Sequence, residues 1–427
     1  MEIYVVKQGD TVFSIAAKFG ITVEKLIIEN EIKEPYYLVV GQTLVITYPV
    51  QVYIVKEGDT LIGIAEAFSV TLLQLLQNNP TISNRQYLYP GEILVIHYNN
   101  NLGNVWVAGY TYPFINNITL KKTLPYMTYI LIFNYRITGN GEIVGSDKDV
   151  EVINTAKVYE TATTLVLTTF SQIGEINLEI EYDVLLNQRN QDKIIENLLN
   201  IIKSKGYNGV NMSIQFITES NQHLYLNFLT NLSNYLHTVG YKVFLTINPG
   251  LEYNVDEIIF KKINYADFSK VSDGILFLQY DWALINKPPV PISIITTSSL
   301  LDYIVSQVPL DKIRIGLPTL GYDWQLPYVE GKSEANVLYF DSVLALAIET
   351  NSVIKYDETY LAAYFEYIDN NNNQHIVWFN DARSINSSLK ILQSYGIDGI
   401  GVWNIMKYFA QMWLVINTQY HIVKTDI

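Results

Sequence analysis

Two hydrophobic rhythms divide the chain. Over residues 1–98, short apolar runs flank segments in which apolar residues recur every three or four positions, the mark of strands around amphipathic helices. From about residue 103 the pattern changes to eight continuous apolar runs separated by helix-length segments. They are VWVAGYTYP from Val105, YMTYILIFNYRI from Tyr126, TTLVLTTF from Thr163, GVNMSIQF from Gly209, KVFLTINP from Lys242, GILFLQYDW from Gly274, IRIGLPTLGYDW from Ile313 and GIGVWNIM from Gly399. Parallel strands covered on both faces read this way, and eight of them alternating with helices predict an α/β fold, a closed (β/α)8 barrel over residues 103–427. The interval from Tyr322 to Asp381 is too long for one loop. Its segments YLAAYFEYID and QHIVWFND, joined by four asparagines, predict a small α+β insertion at about 322–382 on the face where the strands end.

The front of the chain is duplicated. YVVKQGDT from Tyr4 recurs as YIVKEGDT from Tyr53, and each copy continues through two short helical patterns to a closing apolar strand after Gly41 or Gly91. Two βααβ units follow, at 1–48 and 50–98, with the Asp or Thr of each GDT turn placed to cap the next helix. These residues resemble the LysM module, which binds N-acetylglucosamine-containing glycans such as peptidoglycan and chitin. The resemblance implies a groove between the loop after the first strand and the loop before the last. That groove takes Gly9, Asp10, Thr11 and Val12 with Asn30 to Ile32 in one copy, and Gly58, Asp59, Thr60 and Leu61 with Asn79 to Ile82 in the other. Taken singly, each of these residues also reads as a turn or a cap.

Composition narrows the partners. A chain of 427 residues with 49% hydrophobic and 16% charged residues is a folded protein of more than one domain. Forty-two acidic against twenty-eight basic residues give a net charge of -14, which argues against nucleic acid. Cysteine is absent and the five histidines have no ligand spacing, so no metal or other cofactor is expected. The start MEIYVVKQGD lacks the pattern of a signal peptide, and no apolar run is long enough to predict a membrane span. Tyrosine is abundant, at 33 residues, which suits packing with a free hydroxyl or stacking on sugar.

Function in such a barrel belongs at the C-terminal strand ends. Here these carry Tyr110 and Tyr112; Asn134 and Tyr135; Ser213 and Gln215; Asn248; Gln279, Tyr280, Asp281 and Trp282; Tyr322, Asp323 and Trp324; and Trp403 with Asn404. Aromatic rings mixed with amides predict a carbohydrate cleft. Within YNGVNMSIQF, alternation sets Val210, Met212, Ile214 and Phe216 on one face and the uncharged polar Asn211, Ser213 and Gln215 on the other.

Together YNGVNMSIQF, LQYDW, GLPTLGYDWQLPY, HIVWFNDARS and GIGVWNIM resemble glycoside hydrolase family 18, most closely its LysM-bearing bacterial branch of spore cortex-lytic N-acetylglucosaminidases. The family's fourth strand carries D-x-x-D-x-D-x-E, whose glutamate protonates the leaving oxygen while the preceding aspartate helps the substrate acetamide act as nucleophile. The matching positions here are Asn208, Asn211, Ser213 and Gln215, none of them acidic. Elsewhere the resemblance implies that Tyr280 and Asp281, with Trp282 beside them, contact the acetamide and reacting sugar, and that Trp403 forms the floor beneath it. An amide cannot deliver a proton, and general acid catalysis contributes about 10²- to 10⁴-fold. The motif therefore points to a non-catalytic glycan-binding or structural protein of a spore layer, made without a signal peptide at the cortex surface, coat or exosporium. Its partners would be peptidoglycan or other N-acetylglucosamine polymers, coat proteins or further copies of itself. The alternatives are an active N-acetylglucosaminidase of cortex peptidoglycan using another acid, and a self-assembling coat or exosporium protein.

Overall fold

The computed structural model describes all residues except 86, 139–140, 169–177, 215–216, 255–256, 280–292, 330–331 and 426–427. The eight apolar runs form eight parallel strands: Asn104–Thr111, Tyr129–Ile137, Ala162–Thr168, Gly209–Ile214, Lys242–Ile247, Gly274–Phe277, Ile313–Pro318 and Gly399–Trp403. Each pairs with the next, and the last pairs back onto the first through Gly399 with Trp106 and Val402 with Gly109, which closes the barrel. Residues of the outward faces, such as Val210, Met212, Ile214, Val243, Leu245 and Ile247, are fully buried in the main core beneath the helices. A second cluster fills the barrel itself: Ala108, Tyr110, Leu131, Phe133, Val166, Leu276 and Leu278.

The seventh run departs from its reading as one strand through Trp324. It splits at Thr319, with Ile313–Pro318 in the barrel and Leu320–Leu326 in the insertion. Pro318 has no N–H to continue the ladder. The next residue turns the chain upward, Thr319 donating its N–H to Trp403 O at 3.0 Å and its hydroxyl to Asn404 O at 3.0 Å. Strand Leu320–Leu326 then pairs antiparallel with Asn336–Tyr339 and Gln374–Phe379. Ala362–Ile368 and Lys355–Asp357 complete this five-stranded sheet, and helix Phe340–Glu349 connects its two edge strands, Asn336–Tyr339 and Lys355–Asp357. This is the α+β insertion.

Each front unit is a βααβ module. Glu2–Val5 pairs with Thr43–Ile46 around helices Val12–Phe19 and Val23–Asn30, and Gln51–Ile54 pairs with Ile93–His97 around Leu61–Ala67 and Leu72–Asn78. Both modules are docked on the barrel. Gly41 in the first lies at φ +88 so close to the insertion that an added Cβ would stand 1.8 Å from Ile354 O, and Ile354 N–H donates to Val40 O at 2.9 Å. Thr43 donates its hydroxyl to the buried Gln411 Oε1 at 2.8 Å, and Lys33 reaches Asp341 at 3.0 Å. The second module is held by Gln77 donating to Pro125 O at 2.8 Å and by Tyr159 donating to Ser83 O at 2.7 Å.

Candidate functional site at the barrel mouth

Strand alternation delivers Asn211 and Ser213 into the barrel, where they are 1% and 3% exposed. The Thr246 hydroxyl on the neighbouring strand donates to Asn211 Oδ1 at 2.9 Å and also bonds the Tyr110 hydroxyl. Because Thr246 has a single hydrogen, the direction is fixed: Tyr110 donates to Thr246, which donates to Asn211. Burial raises the Tyr110 phenol well above its ordinary pKa, so it remains a neutral donor. Thr246 was legible in the sequence, since it shares the inward phase of Phe244 and Asn248, but the reading of the strand end passed over it.

The three described motif positions, Asn208, Asn211 and Ser213, do not all face one point. Asn208 stands at the foot of its strand and accepts the Thr163 N–H at 2.8 Å, tying two strands together there. Five residues of extended chain, roughly 16 Å, separate it from Ser213. Gln215, Tyr280, Asp281 and Trp282 lie outside the described residues.

Trp403, half-buried at the end of the last strand, meets the Tyr110 ring edge-on at 5.0 Å and the Phe133 ring at 5.6 Å. It also packs against the insertion's aromatic face, which includes Tyr322 and Trp378. Trp378 in turn stacks on Tyr364 at 4.5 Å. Trp403 thus joins the barrel's filling to an aromatic wall. Beside that wall a cavity of about 80 Å³ is lined by Gln279, Thr296, Tyr322, Trp378 and Asn380. Two polar atoms there, Gln279 Oε1 and Trp378 Nε1, are buried without a hydrogen-bond partner. An acceptor and a donor between rings are what a sugar hydroxyl needs.

Neither Asp323 nor Glu219 lines the cavity beside this wall. Asp323, 5% exposed, is on the opposite face of its strand from Tyr322, where it accepts the Tyr367 hydroxyl at 2.9 Å and pairs with His375 Nδ1 at 2.9 Å. Glu219 lies on an exposed turn before helix Gln222–Thr238. Among the described residues no three His, Asp or Glu side chains converge as a metal site.

In the front modules the side chains of several groove positions are spent on local structure. Asp10 accepts from Tyr4 OH and Lys7 N at 2.7 Å each, and Asp59 does so from Tyr53 OH at 2.8 Å and Lys56 N at 2.7 Å. Thr11 and Thr60 cap their helices through Ser14 N and Gly63 N. Asn30 exchanges two hydrogen bonds with the backbone of Val45, and Asn79 two with Val95, so each buried amide fastens a helix end to the closing strand. Val12 is buried and Leu61 half-buried, while Gly9 and Gly58 hold turns at φ +85 and +86. What the turns offer to solvent is backbone together with Phe13 and Ile62, at 67% and 61% exposed. The sequence reading passed over this pair, although they occupy the same repeat position.

Residues 106–407 match glycosyl hydrolases family 18, and residues 4–47 and 53–97 each match the LysM domain. The chain belongs to glycosyl hydrolase family 18 and carries two LysM domains ahead of its barrel. It is 32% identical to a cortical fragment-lytic enzyme of Bacillus anthracis over 438 residues, 99% of each chain, and 29% identical to that of Bacillus subtilis, again over 99% of each. The crystal structure of the Bacillus cereus spore cortex-lytic enzyme SleL superposes with a TM-score of 0.79 at 29% identity, covering 99% of both chains.

These relatives overturn the expectation of a non-catalytic protein. They share both LysM domains and the barrel from end to end, and they are named as lytic enzymes. A glycosidase cleft is built from eight strand ends, so the neutral residues on one strand do not settle the activity.

Proposed function

We propose that this protein is an N-acetylglucosaminidase that degrades spore cortex peptidoglycan, with its LysM modules holding the glycan while the barrel mouth cleaves it. The observation that carries this reading is collinear similarity over 99% of the chain to enzymes named for lysis of cortical fragments. The cavity with one unpaired donor and one unpaired acceptor beside the Trp403 wall supports it. The site of action is the spore cortex.

Hydrolysis requires a proton for the leaving oxygen, and the carboxamide of Gln215 has none to give. Asp323 is committed to Tyr367 and His375 on the far face, and Glu219 sits on an exposed turn. By its position in the sequence Asp281 is the strand-end carboxyl we assign to this role, with Tyr280 and Trp403 positioning the sugar. Without the motif's glutamate the enzyme is slower than one that keeps it. The test is release of new reducing ends from cortical fragments by the full chain. Asp281→Asn should lower the rate by about 10²-fold or more, as loss of a general acid does. Unchanged turnover in that variant would remove Asp281 from the role.

A further inference from the structure

Where the first LysM domain meets the barrel, a pocket of about 240 Å³ is lined by Glu31, Lys33, Lys122, Asp341, Lys407 and Tyr408. Two cross-domain ion pairs frame it, Lys33 with Asp341 at 3.0 Å and Lys122 with Glu31. The Lys122 ammonium also rests 4.2 Å from the centre of the Tyr408 ring. Lys407 is exposed and, among the described residues, has no carboxylate within ion-pairing distance. Three ammonium groups thus face two carboxylates, a local excess of positive charge on a chain whose net charge is -14. Burial works to raise the Asp341 carboxyl, yet Lys33 and Lys407 hold it below its ordinary pKa, so Asp341 stays anionic near neutral pH.

Position gives this charge a use. On one side the pocket is walled by Asn30 at the end of helix Val23–Asn30 and by Glu31 just after it, where the chain leaves for the closing strand of the LysM domain. On the other, the Lys407 ammonium lies 6.0 Å from the ring centre of Tyr339, which belongs to the aromatic cluster around Trp403. A chain of contacts therefore runs from the LysM loop through the pocket to the barrel mouth.

We propose that this pocket is an anion subsite for a carboxylate carried by the bound glycan, either the lactyl group of an N-acetylmuramoyl residue or the peptide attached to it, as the strand passes from LysM loop to barrel mouth. This rests on the peptidoglycan reading above. A cation placed for a single carboxylate at a partly exposed site changes affinity modestly and in a salt-dependent way.

The test is calorimetry of the full chain and of Lys407→Gln with three probes: a neutral chitotetraose, a muramoyl tetrasaccharide bearing peptide stems, and the same tetrasaccharide with its stems removed. Lys407→Gln should weaken the acidic probes about fivefold, less at high salt, and leave chitotetraose unchanged. An effect kept on the stripped probe assigns the lactyl carboxylate, and one seen only with stems assigns the peptide. Chitotetraose bound normally with no loss on either acidic probe overturns the subsite alone. If the wild-type chain binds none of the three, the peptidoglycan reading falls and the subsite with it.

Discussion

Thr246 gives its only hydroxyl hydrogen to Asn211 Oδ1 at 2.9 Å, and thereby relays the buried Tyr110 hydroxyl to the strand that would carry the family's acids. An acceptor is all this relay requires at position 211, so the amide preserves the link that an aspartate would make. Replacing Thr246 with valine keeps the shape but strands a buried donor and a buried acceptor. A loss of about 1–3 kcal/mol in denaturant unfolding is expected. Tyr110→Phe, which strands neither Thr246 nor Asn211 as a pair, should cost less than Thr246→Val.

Docking of the first LysM domain depends on the absence of one side chain. Gly41 and Gly91 occupy the same repeat position at φ +88 and +92, so alanine is strained at both. Only at Gly41 would the new Cβ meet backbone, 1.8 Å from Ile354 O, while at Gly91 it meets nothing within 4 Å. Gly41→Ala should therefore loosen the module from the insertion and expose the following linker to proteolysis. Gly91→Ala should show only the local strain cost of roughly 1 kcal/mol in a melt.

Acid should loosen both GDT turns together. The Asp10 carboxyl is held below its ordinary value by the Tyr4 hydroxyl and then the Lys7 N–H, and Asp59 by the Lys56 N–H and then the Tyr53 hydroxyl. Because the folded values are depressed, the stabilisation is complete above the unfolded value near about 3.9 and disappears as pH falls through the lower folded value. The melting difference between wild type and an Asp10→Asn, Asp59→Asn double variant should be constant from about pH 7 down to about pH 5 and shrink below about pH 4. A difference that shrinks already near neutrality would contradict these bonds.

Most of the barrel was legible because period-two alternation is local: Val210, Met212 and Ile214 went to the core and Asn211 and Ser213 inward, as the string of residues implied. The reading failed where a strand changes sheet. Beyond Pro318 the alternation restarts in the insertion, which places Asp323 beside His375 on the far face although it read as a residue of the mouth. Motif alignment likewise grouped Asn208 with Ser213, while the pitch of a strand puts it at the barrel foot on Thr163. The junction that forms the lysine pocket was beyond local pattern altogether, since Lys33 and Asp341 are 308 positions apart and only the closed fold brings them together. Function is not legible in that strand for a related reason: four neutral positions on one strand carry less weight than the whole-length architecture that the lytic relatives share.

The central claim is that the barrel hydrolyses cortex glycan despite Gln215. The direct measurement is the rate at which the purified full chain and its Gln215→Glu variant release new N-acetylglucosamine reducing ends from cortical fragments. The account predicts slow but measurable release by the wild type and an increase of about 10²-fold on restoring a carboxyl at position 215. No release by the wild type while it melts cooperatively, whether or not the Gln215→Glu variant is active, would contradict it.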